Sequence, residues 1–449
     1  IRNRAKLDRG RHTILLFDSD STPSTHILPV PTQRDYIFRN GTSNPVVNRG
    51  GTGTWDRGIV HAPRVVVDNG VYYLFYTGSE DLLAEDARIG YATSTDGIAF
   101  TKYGGNPILS ADGTGFDAHT LGECAPIVQG DTWVVYYNAY SISRPGPGKY
   151  IGRATAPSPS GPWTRMDNPV LEAGSWGEWD SRLATPDGVF ATDTGYVMYY
   201  SGSNGFPNQP WRVGMATSPD GITWTKYNDP ATPDAPYAMS DPIFTLGDAG
   251  AWDSASSAAT AMLPGAEGWE MYYTGCVGSV EALQCVGYAT GTDGLNWTRF
   301  DGNPVLTPTE AWGQVRVVAG SAVRVGTDYY LYYAGWSSNS NARIGLAISS
   351  TTNAREMPPP QPGNFALLQN YPNPFNSSTA IQFELPYAGL VLLRVFDISG
   401  RKVTTLADEV MNAGRHQVRF EARTLPSGVY VYRLQSGEFT QSRKLVVLR

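Results

Sequence analysis

The sequence predicts an all-β protein: a five-bladed β-propeller with N-terminal strand closure, followed by a C-terminal Ig-like β-sandwich. Three observations carry this expectation. One phrase returns five times in 449 residues, as YYLFYTG at 72–78, WVVYYNA at 133–139, YVMYYSG at 196–202, WEMYYTG at 269–275 and YYLYYAG at 329–335. Self-similarity at a period of about 60 residues marks a repeat architecture. The chain is rich in Tyr (26), Trp (12), Gly (49) and Pro (32), which suits short strands and tight turns rather than long helices. Finally, Asp96-Gly97, Asp220-Gly221 and Asp293-Gly294 fall between β-rich runs, with Gly161-Pro162 in the same place in the second repeat. Gly accepts the positive φ of a hairpin turn without steric cost.

Each repeat offers four strand candidates. In the first they are 59–67, 71–77, 87–94 and 99–109. The third piece recurs as IGRATA (151–156), VGMATS (213–218), VGYATG (286–291) and IGLAIS (344–349). Four-stranded antiparallel units repeated radially make a propeller. The fifth repeat has no fourth strand after IGLAIS. The missing piece lies at the start, where DYIFRNGTSNPVV (35–47) matches TKYGGNPIL and TRFDGNPVL. The N-terminal strand is therefore expected to complete the last blade.

The domain reading follows. Residues 1–32 form an N-terminal arm with one strand candidate, HTILLF (12–17), and 33–355 form the propeller. EMPPPQPG (356–363) is a Pro-rich linker. Residues 364–449 form the sandwich, from the strand candidates TAIQFELP, LVLLRVFDI, HQVRFEA, GVYVYRLQS and SRKLVVLR. Their alternation of apolar and polar residues fits a half-buried sheet.

Net charge and hydropathy limit the partners. A formal charge of −7 argues against nucleic acid. No apolar run approaches the roughly 18 residues of a membrane span, so no transmembrane segment is expected. A chain that begins at Ile1 reads as a mature or trimmed form. Cys276 and Cys285 flank the loop of one hairpin, so a disulfide between them is expected, and with it an oxidising compartment.

The tail closely resembles the C-terminal sorting domain of type IX secretion substrates (Por secretion, type A). The match lies in NYPNPFNSSTAIQFELP (370–386), VFDISGRKV (395–403), LPSGVYVYRL (425–434) and RKLVVLR (443–449). The resemblance implies that the partners include the type IX secretion machinery. It also implies a location that is secreted or on the outer cell surface of a Bacteroidetes-type bacterium.

The ring resembles the five-bladed glycoside hydrolases of family 43, family 32 and family 130 types. The likeness lies in the blade count, in YYLFYTG after a short inner strand, and in the S-x-D-G-x-x-W-T phrase followed by NPVL. It implies a glycan or polysaccharide partner. Glycoside hydrolysis needs two carboxylates across the scissile bond. The inner strands align on a proline: His61-Ala62-Pro63-Arg64, then Glu123-Cys124-Ala125-Pro126, then Ala184-Thr185-Pro186-Asp187. The family-43 pattern places Asp directly before the first proline, where this chain has Ala62. Glu123 and Asp187 remain as blade-specific inner-strand carboxylates.

A second acidic set precedes the inner strands: Trp55-Asp56, Phe116-Asp117, Trp179-Asp180 and Trp252-Asp253, with Trp312-Gly313 in the fifth repeat. Four acids at one mouth suit polyol or cation binding. A recurring aromatic-Asp pair is more simply a structural turn whose Asp binds local backbone N–H groups, and that reading is preferred. Catalytic candidates are thus Glu123 as acid, with Asp187 or Asp56 as base. Candidate substrate contacts are His61, Asp117, His119, Asp180, Arg182, Tyr140, Trp211, Asp253 and Trp336, with Phe206 and Arg316 nearby. No cofactor is expected and no metal cluster is spaced for binding. The acidic stretch 80–86 is either a solvated loop or a structural calcium site.

Two functions remain open. One is a secreted carbohydrate-active or carbohydrate-binding propeller, with glycoside hydrolysis as its enzymatic form. The other is a non-catalytic subunit of an extracellular assembly, self-associating through the arm and the sandwich.

Overall fold

The computed structural model describes residues 38–41, 43–81, 86–140, 150–205, 210–265, 268–278, 283–310, 312–337, 341–350, 365–386, 389–411, 414–422, 425–437 and 439–448. The arm with HTILLF, the linker 356–363 and Phe206 lie outside them, as do parts of the loops at 80–86 and 140–149. The chain divides into two compact bodies, Ile1–Phe300 with Glu310–Ala354, and Asp301–Thr309 with Arg355–Arg449.

The larger body is built from five antiparallel blades. Blade one runs Ile59–Asp68, Val71–Ser79, Arg88–Ser94 and Thr101–Lys102; blade two runs Thr120–Gln129, Thr132–Tyr140, Tyr150–Ala156 and Thr164–Arg165. Blade three runs Leu183–Thr192, Gly195–Ser203, Arg212–Ser218 and Thr225–Lys226; blade four runs Ser256–Gly265, Gly268–Cys276, Gln284–Gly291 and Thr298–Arg299. Blade five runs Arg316–Val325, Asp328–Trp336 and Ala342–Ser350. Its fourth strand is Arg39–Asn40, which pairs antiparallel with Ile348 and Ala347. The first strands touch one another in cyclic order, and the fifth touches the first. The blades therefore close a ring around a channel.

The core lies between neighbouring blades. Phe75, Ile89 and Tyr91 of blade one pack on Leu121, Trp133, Val135 and Tyr137 of blade two. Equivalent clusters join blades two and three, three and four, and five and one.

The recurring phrase has a physical reading at each position. Its last tyrosine donates to the acid of the preceding aromatic-Asp pair: Tyr76 to Asp56 at 3.1 Å, Tyr137 to Asp117 at 2.8 Å, Tyr200 to Asp180 at 3.1 Å and Tyr273 to Asp253 at 3.0 Å. Blade five has no such Asp, and Tyr333 donates to Asn40 of the closing strand at 2.7 Å. The tyrosine before it reaches the next blade: Tyr136 donates to the carbonyl of Gly221, Tyr199 to Gly294 and Tyr332 to Gly97. The closing glycine faces the tryptophan. A Cβ on Gly202 would sit 2.7 Å from Trp179, and one on Gly335 would sit 2.4 Å from Trp312. Blade two replaces both partners together, with Ala139 where the glycine stands and the smaller ring of Phe116 where the tryptophan stands.

The fourth strands are shorter than the sequence predicts. In blade one only Thr101–Lys102 pairs regularly, followed by a single bridge from Leu109 to Ile89. Between them the Asn106 side chain substitutes for backbone, accepting from Tyr91 N at 3.0 Å and donating to Tyr91 O at 2.8 Å. Asn44 does the same to Leu346 in blade five. This explains the recurrent Asn-Pro.

The smaller body is two sheets around one core. One sheet orders Ala366–Leu367, Ser378–Leu385 and Gly414–Glu421; the other orders Lys402–Met411, Gly389–Asp397, Gly428–Ser436 and Phe439–Val447. Ile381, Phe383, Val391, Leu393, Val395, Tyr432 and Leu445 are buried between them. Lys402–Met411 is absent from the sequence expectation. It is an edge strand that buries Ala407 alone, so it carries no alternating apolar signal.

The expected disulfide is corrected. Cys276 and Cys285 are both buried free thiols, as is Cys124. Across the hairpin Cys285 pairs with Gly275, and Cys276 pairs with Gln284. That offset of one residue sends the two side chains to opposite faces of the sheet.

Candidate functional site

Every first strand is interrupted at mid-length by a bulge, between His61 and Arg64, Gly122 and Cys124, Pro186 and Gly188, Ala258 and Ala261, and Ala319 and Ser321. A bulge re-aims the residue it leaves unpaired. Those residues are Ala62-Pro63, Glu123, Asp187, Ala259-Thr260 and Gly320. Ala62, Glu123 and Ala259 take left-handed backbone, with φ of 50°, 39° and 51°. The bend is thus scaffold, and only blades two and three place a carboxylate on it.

The bulges are anchored by the blade before. The hydroxyl of Thr77 accepts from Glu123 N at 2.6 Å, Ser201 accepts from Ala259 N at 2.7 Å and Thr274 accepts from Ala319 N at 2.9 Å. In blade two the same slot holds Asn138, which donates to Thr185 at 3.1 Å. These residues are the variable polar letter of the repeated phrase.

Glu123 is half-buried, and its Oε2 accepts from the Thr185 hydroxyl at 3.3 Å. Asp187 is buried. Its Oδ1 accepts from Arg64 Nη2 at 3.1 Å, and its Oδ2 accepts from Ser201 at 2.6 Å and Thr260 at 3.1 Å. Arg64 belongs to blade one and Asp187 to blade three, which are not neighbours. The ion pair therefore spans the channel. Burial pushes the Asp187 carboxyl up to about 6 against the opposing pull of Arg64.

The second acidic set is used inside its own blades. Asp56 also accepts from Lys102 at 2.5 Å, Asp117 from Arg165 at 3.0 Å, Asp180 from Lys226 at 2.6 Å and Asp253 from Arg299 at 2.8 Å. Each acid joins its loop to the second and fourth strands of one blade. The structure thus places Asp56, Asp117, Asp180 and Asp253 in four separate buried staples and does not bring them together.

Other candidates cluster at the ends where the first strands start and the second strands stop. The His61 and Trp336 rings lie 5.9 Å apart, and Arg316 stacks on Trp336 at 4.6 Å. His119 lies 6.4 Å from Tyr140, which is 40% exposed. Arg182 stacks at 5.5 Å on Trp176, an indole that is 75% exposed. The Trp211 carbonyl accepts from Ser257 N at 3.1 Å, so its backbone joins blades three and four. Sequence reasoning left out Arg64, Thr185 and Trp176. The signal for Arg64 was present: the slot after the aligned proline holds Arg64 in blade one and Asp187 in blade three.

Among the described residues no group of three or more His, Cys, Asp or Glu is placed to hold a metal ion, and no helix is long and apolar enough to cross a membrane.

Comparison with known proteins agrees with both bodies. Residues 369–448 match the secretion system C-terminal sorting domain family. No curated protein matches the chain. Among solved structures, one is from work on glycoside hydrolase family 130, whose mannoside phosphorylases include glycoside hydrolases that target β-1,2 mannosidic linkages in Candida mannan. It has 19% identity and a TM-score of 0.57, and the match covers 74% of this chain and 99% of that one. A glycosyl hydrolase from Bacteroides ovatus has 18% identity and a TM-score of 0.55, over 71% of this chain and 95% of that one. A β-1,2-mannobiose phosphorylase from Listeria innocua has 16% identity and a TM-score of 0.50, over 70% of this chain and 96% of that one. At these identities the likeness is one of fold. The protein therefore carries a type IX secretion sorting domain, which directs it to the outside of a Bacteroidetes-type cell, behind a ring that shares the fold of glycosidase propellers.

Proposed function

We propose that this is a secreted carbohydrate-active protein that holds a glycan at the mouth of its ring, with Glu123 as the carboxylate facing the bound sugar. One observation carries the reading. Of the two carboxylates on the inner-strand bulges, Glu123 is the one left half-exposed, with its backbone fixed by Thr77 and its carboxylate steadied by Thr185. His61, Trp336, Arg316, Tyr140, Arg182 and Trp176 supply the aromatic and polar rim that a sugar needs. Glu123 then acts as general acid to a glycosidic oxygen. The similar mannoside-active structures make β-1,2-mannosides the first substrates to try.

A second reading, a glycan-binding subunit without hydrolysis, is favoured by the state of Asp187. A glycosidase needs a second carboxylate open to the substrate across the bond. Asp187 has both oxygens engaged, and Ala62 fills the slot where family 43 has its aspartate.

The test uses the full chain with β-1,2-mannosides, arabinan, xylan and fructans, measuring binding by calorimetry and release of reducing ends. Glu123→Gln is expected to keep binding within a few-fold and to lower cleavage by roughly 10²–10⁴-fold, the share of a general acid. Binding without cleavage by the wild-type chain selects the second reading. Cleavage unchanged in Glu123→Gln removes Glu123 from the mechanism, and absence of any glycan binding overturns the proposal.

A further inference from the structure

Below the bulges the channel holds a cavity of about 140 Å³, lined by the first strands of all five blades. Most of its wall is apolar, from Ala125, Val189, Phe190, Met262 and Leu263 among others. Two polar groups break that wall besides Asp187. Arg64 lines the cavity and is 8% exposed. Its Nη2 is used by Asp187, but Nε and Nη1 are buried with no hydrogen-bond partner among the described residues. Ser321 accepts from Val65 N at 3.0 Å, which leaves its own proton to donate into the cavity. Asp187 offers no further acceptance in this direction, because Oδ1 takes Arg64 and Oδ2 takes both Ser201 and Thr260.

The cavity is thus a chamber with three donors, a guanidinium charge and apolar walls. Buried donors without acceptors cost free energy, and a buried guanidinium costs more. A single water supplies one oxygen with no charge. We propose that the cavity binds a small monovalent anion, a halide or a carboxylate the size of formate or acetate, held by Arg64 Nε and Nη1 and by the Ser321 hydroxyl. The volume admits such an ion, since a water occupies about 30 Å³.

The charge balance sets a pH dependence. The titratable groups around Arg64 are Asp187 on blade three, which pairs with it, and on blade two the Cys124 thiol, which feels both Arg64 and the neighbouring Glu123. The Cys124 thiol is pushed up to about 12 by burial and stays neutral. The lining from blades four and five carries no charged side chain. An incoming anion therefore competes with the Asp187 carboxylate for Arg64 and favours a proton on it. That carboxyl already lies near 6, so anion binding tightens as pH falls through that value.

The experiment has two arms. Crystals of the full chain grown in bromide are examined by anomalous scattering, with a peak expected within hydrogen-bond distance of Arg64. In solution, unfolding is followed in bromide and in acetate against isethionate at equal ionic strength. Well above half-saturation each tenfold rise in bromide or acetate is expected to add about 1.4 kcal/mol to stability. Arg64→Lys, which keeps the charge but removes the fork, and Ala322→Leu, which fills the chamber, are both expected to lose that increment. An empty or water-only channel in the bromide crystals overturns the proposal. So does an equal increment in the wild type and both variants. If neither variant folds, the crystal result on the wild-type chain decides alone.

Discussion

Removing Asp180 tests whether the repeated acids are staples or site residues. The side chain is fully buried, accepts from the Tyr200 hydroxyl at 3.1 Å and pairs with Lys226 at 2.6 Å, an ammonium whose side chain is 14% exposed. Asp180→Ala removes one neutral hydrogen bond, worth about 1 kcal/mol net, and one charge-assisted bond, worth about 1.5–3 kcal/mol. It also strands the buried tyrosine hydroxyl, whose desolvation raises the total, and one-sided removal from a buried pair typically costs about 3–5 kcal/mol. Against a usual stability of about 5–15 kcal/mol this is a large loss. It is read by urea unfolding followed by tyrosine and tryptophan fluorescence, with glycan binding measured below the transition. The expected result is a midpoint shifted strongly down, with affinity of the folded fraction unchanged. A stability loss under about 1 kcal/mol, accompanied by lost binding, would refute the staple and return Asp180 to the site.

Two further predictions follow. Asp187 has its folded pKa raised from 3.8 to about 6, so its stabilising contribution is fully present below the unfolded value and is lost as pH rises through about 6. The shift amounts to roughly 3 kcal/mol by linkage. The stability difference between the wild type and Asp187→Asn should therefore fall with pH across that window, at up to about 1.4 kcal/mol per unit. A difference that is flat with pH contradicts it. All three cysteines are buried and unpaired, so thiol titration of the folded chain should detect almost none, titration in denaturant should detect three, and a reductant should leave the thermal midpoint unchanged. A count in denaturant that is two thiols lower without reductant than with it would mean that the pair had oxidised.

The sequence alone determined the architecture, because the architecture is periodic. The Tyr-rich phrase recurs in all five blades, Asn-Pro in four and the Asp-Gly turn in three, because each does one local job in the blade that carries it. Even the closing strand was legible, since residues 35–47 carry the Asn-Pro of a fourth strand out of place. The tail was legible for a different reason, as an ordered series of motifs shared with a known family. The aromatic-Asp pairs showed in the sequence as either site or scaffold. Their partners are 20 residues on for the tyrosine and 46 or 48 on for the cation, and contact between them exists only once the blade has folded.

Tertiary structure decided what depends on contacts across the ring or on a single step of register. Arg64 and Asp187 are 123 residues apart and meet because blades one and three face each other over the channel. No local pattern encodes that meeting. Thr77, Asn138, Ser201 and Thr274 read as ordinary strand residues until the next blade's bulge is set against them. The cysteine pair shows how fine the margin is. The hairpin brings Cys276 and Cys285 onto adjacent strands, as the sequence implied, but a pairing offset by one residue turns their side chains to opposite faces. Repetition writes the scaffold into the sequence many times over. The site arises where the blades differ, and there only the closed ring says which single residues stand together.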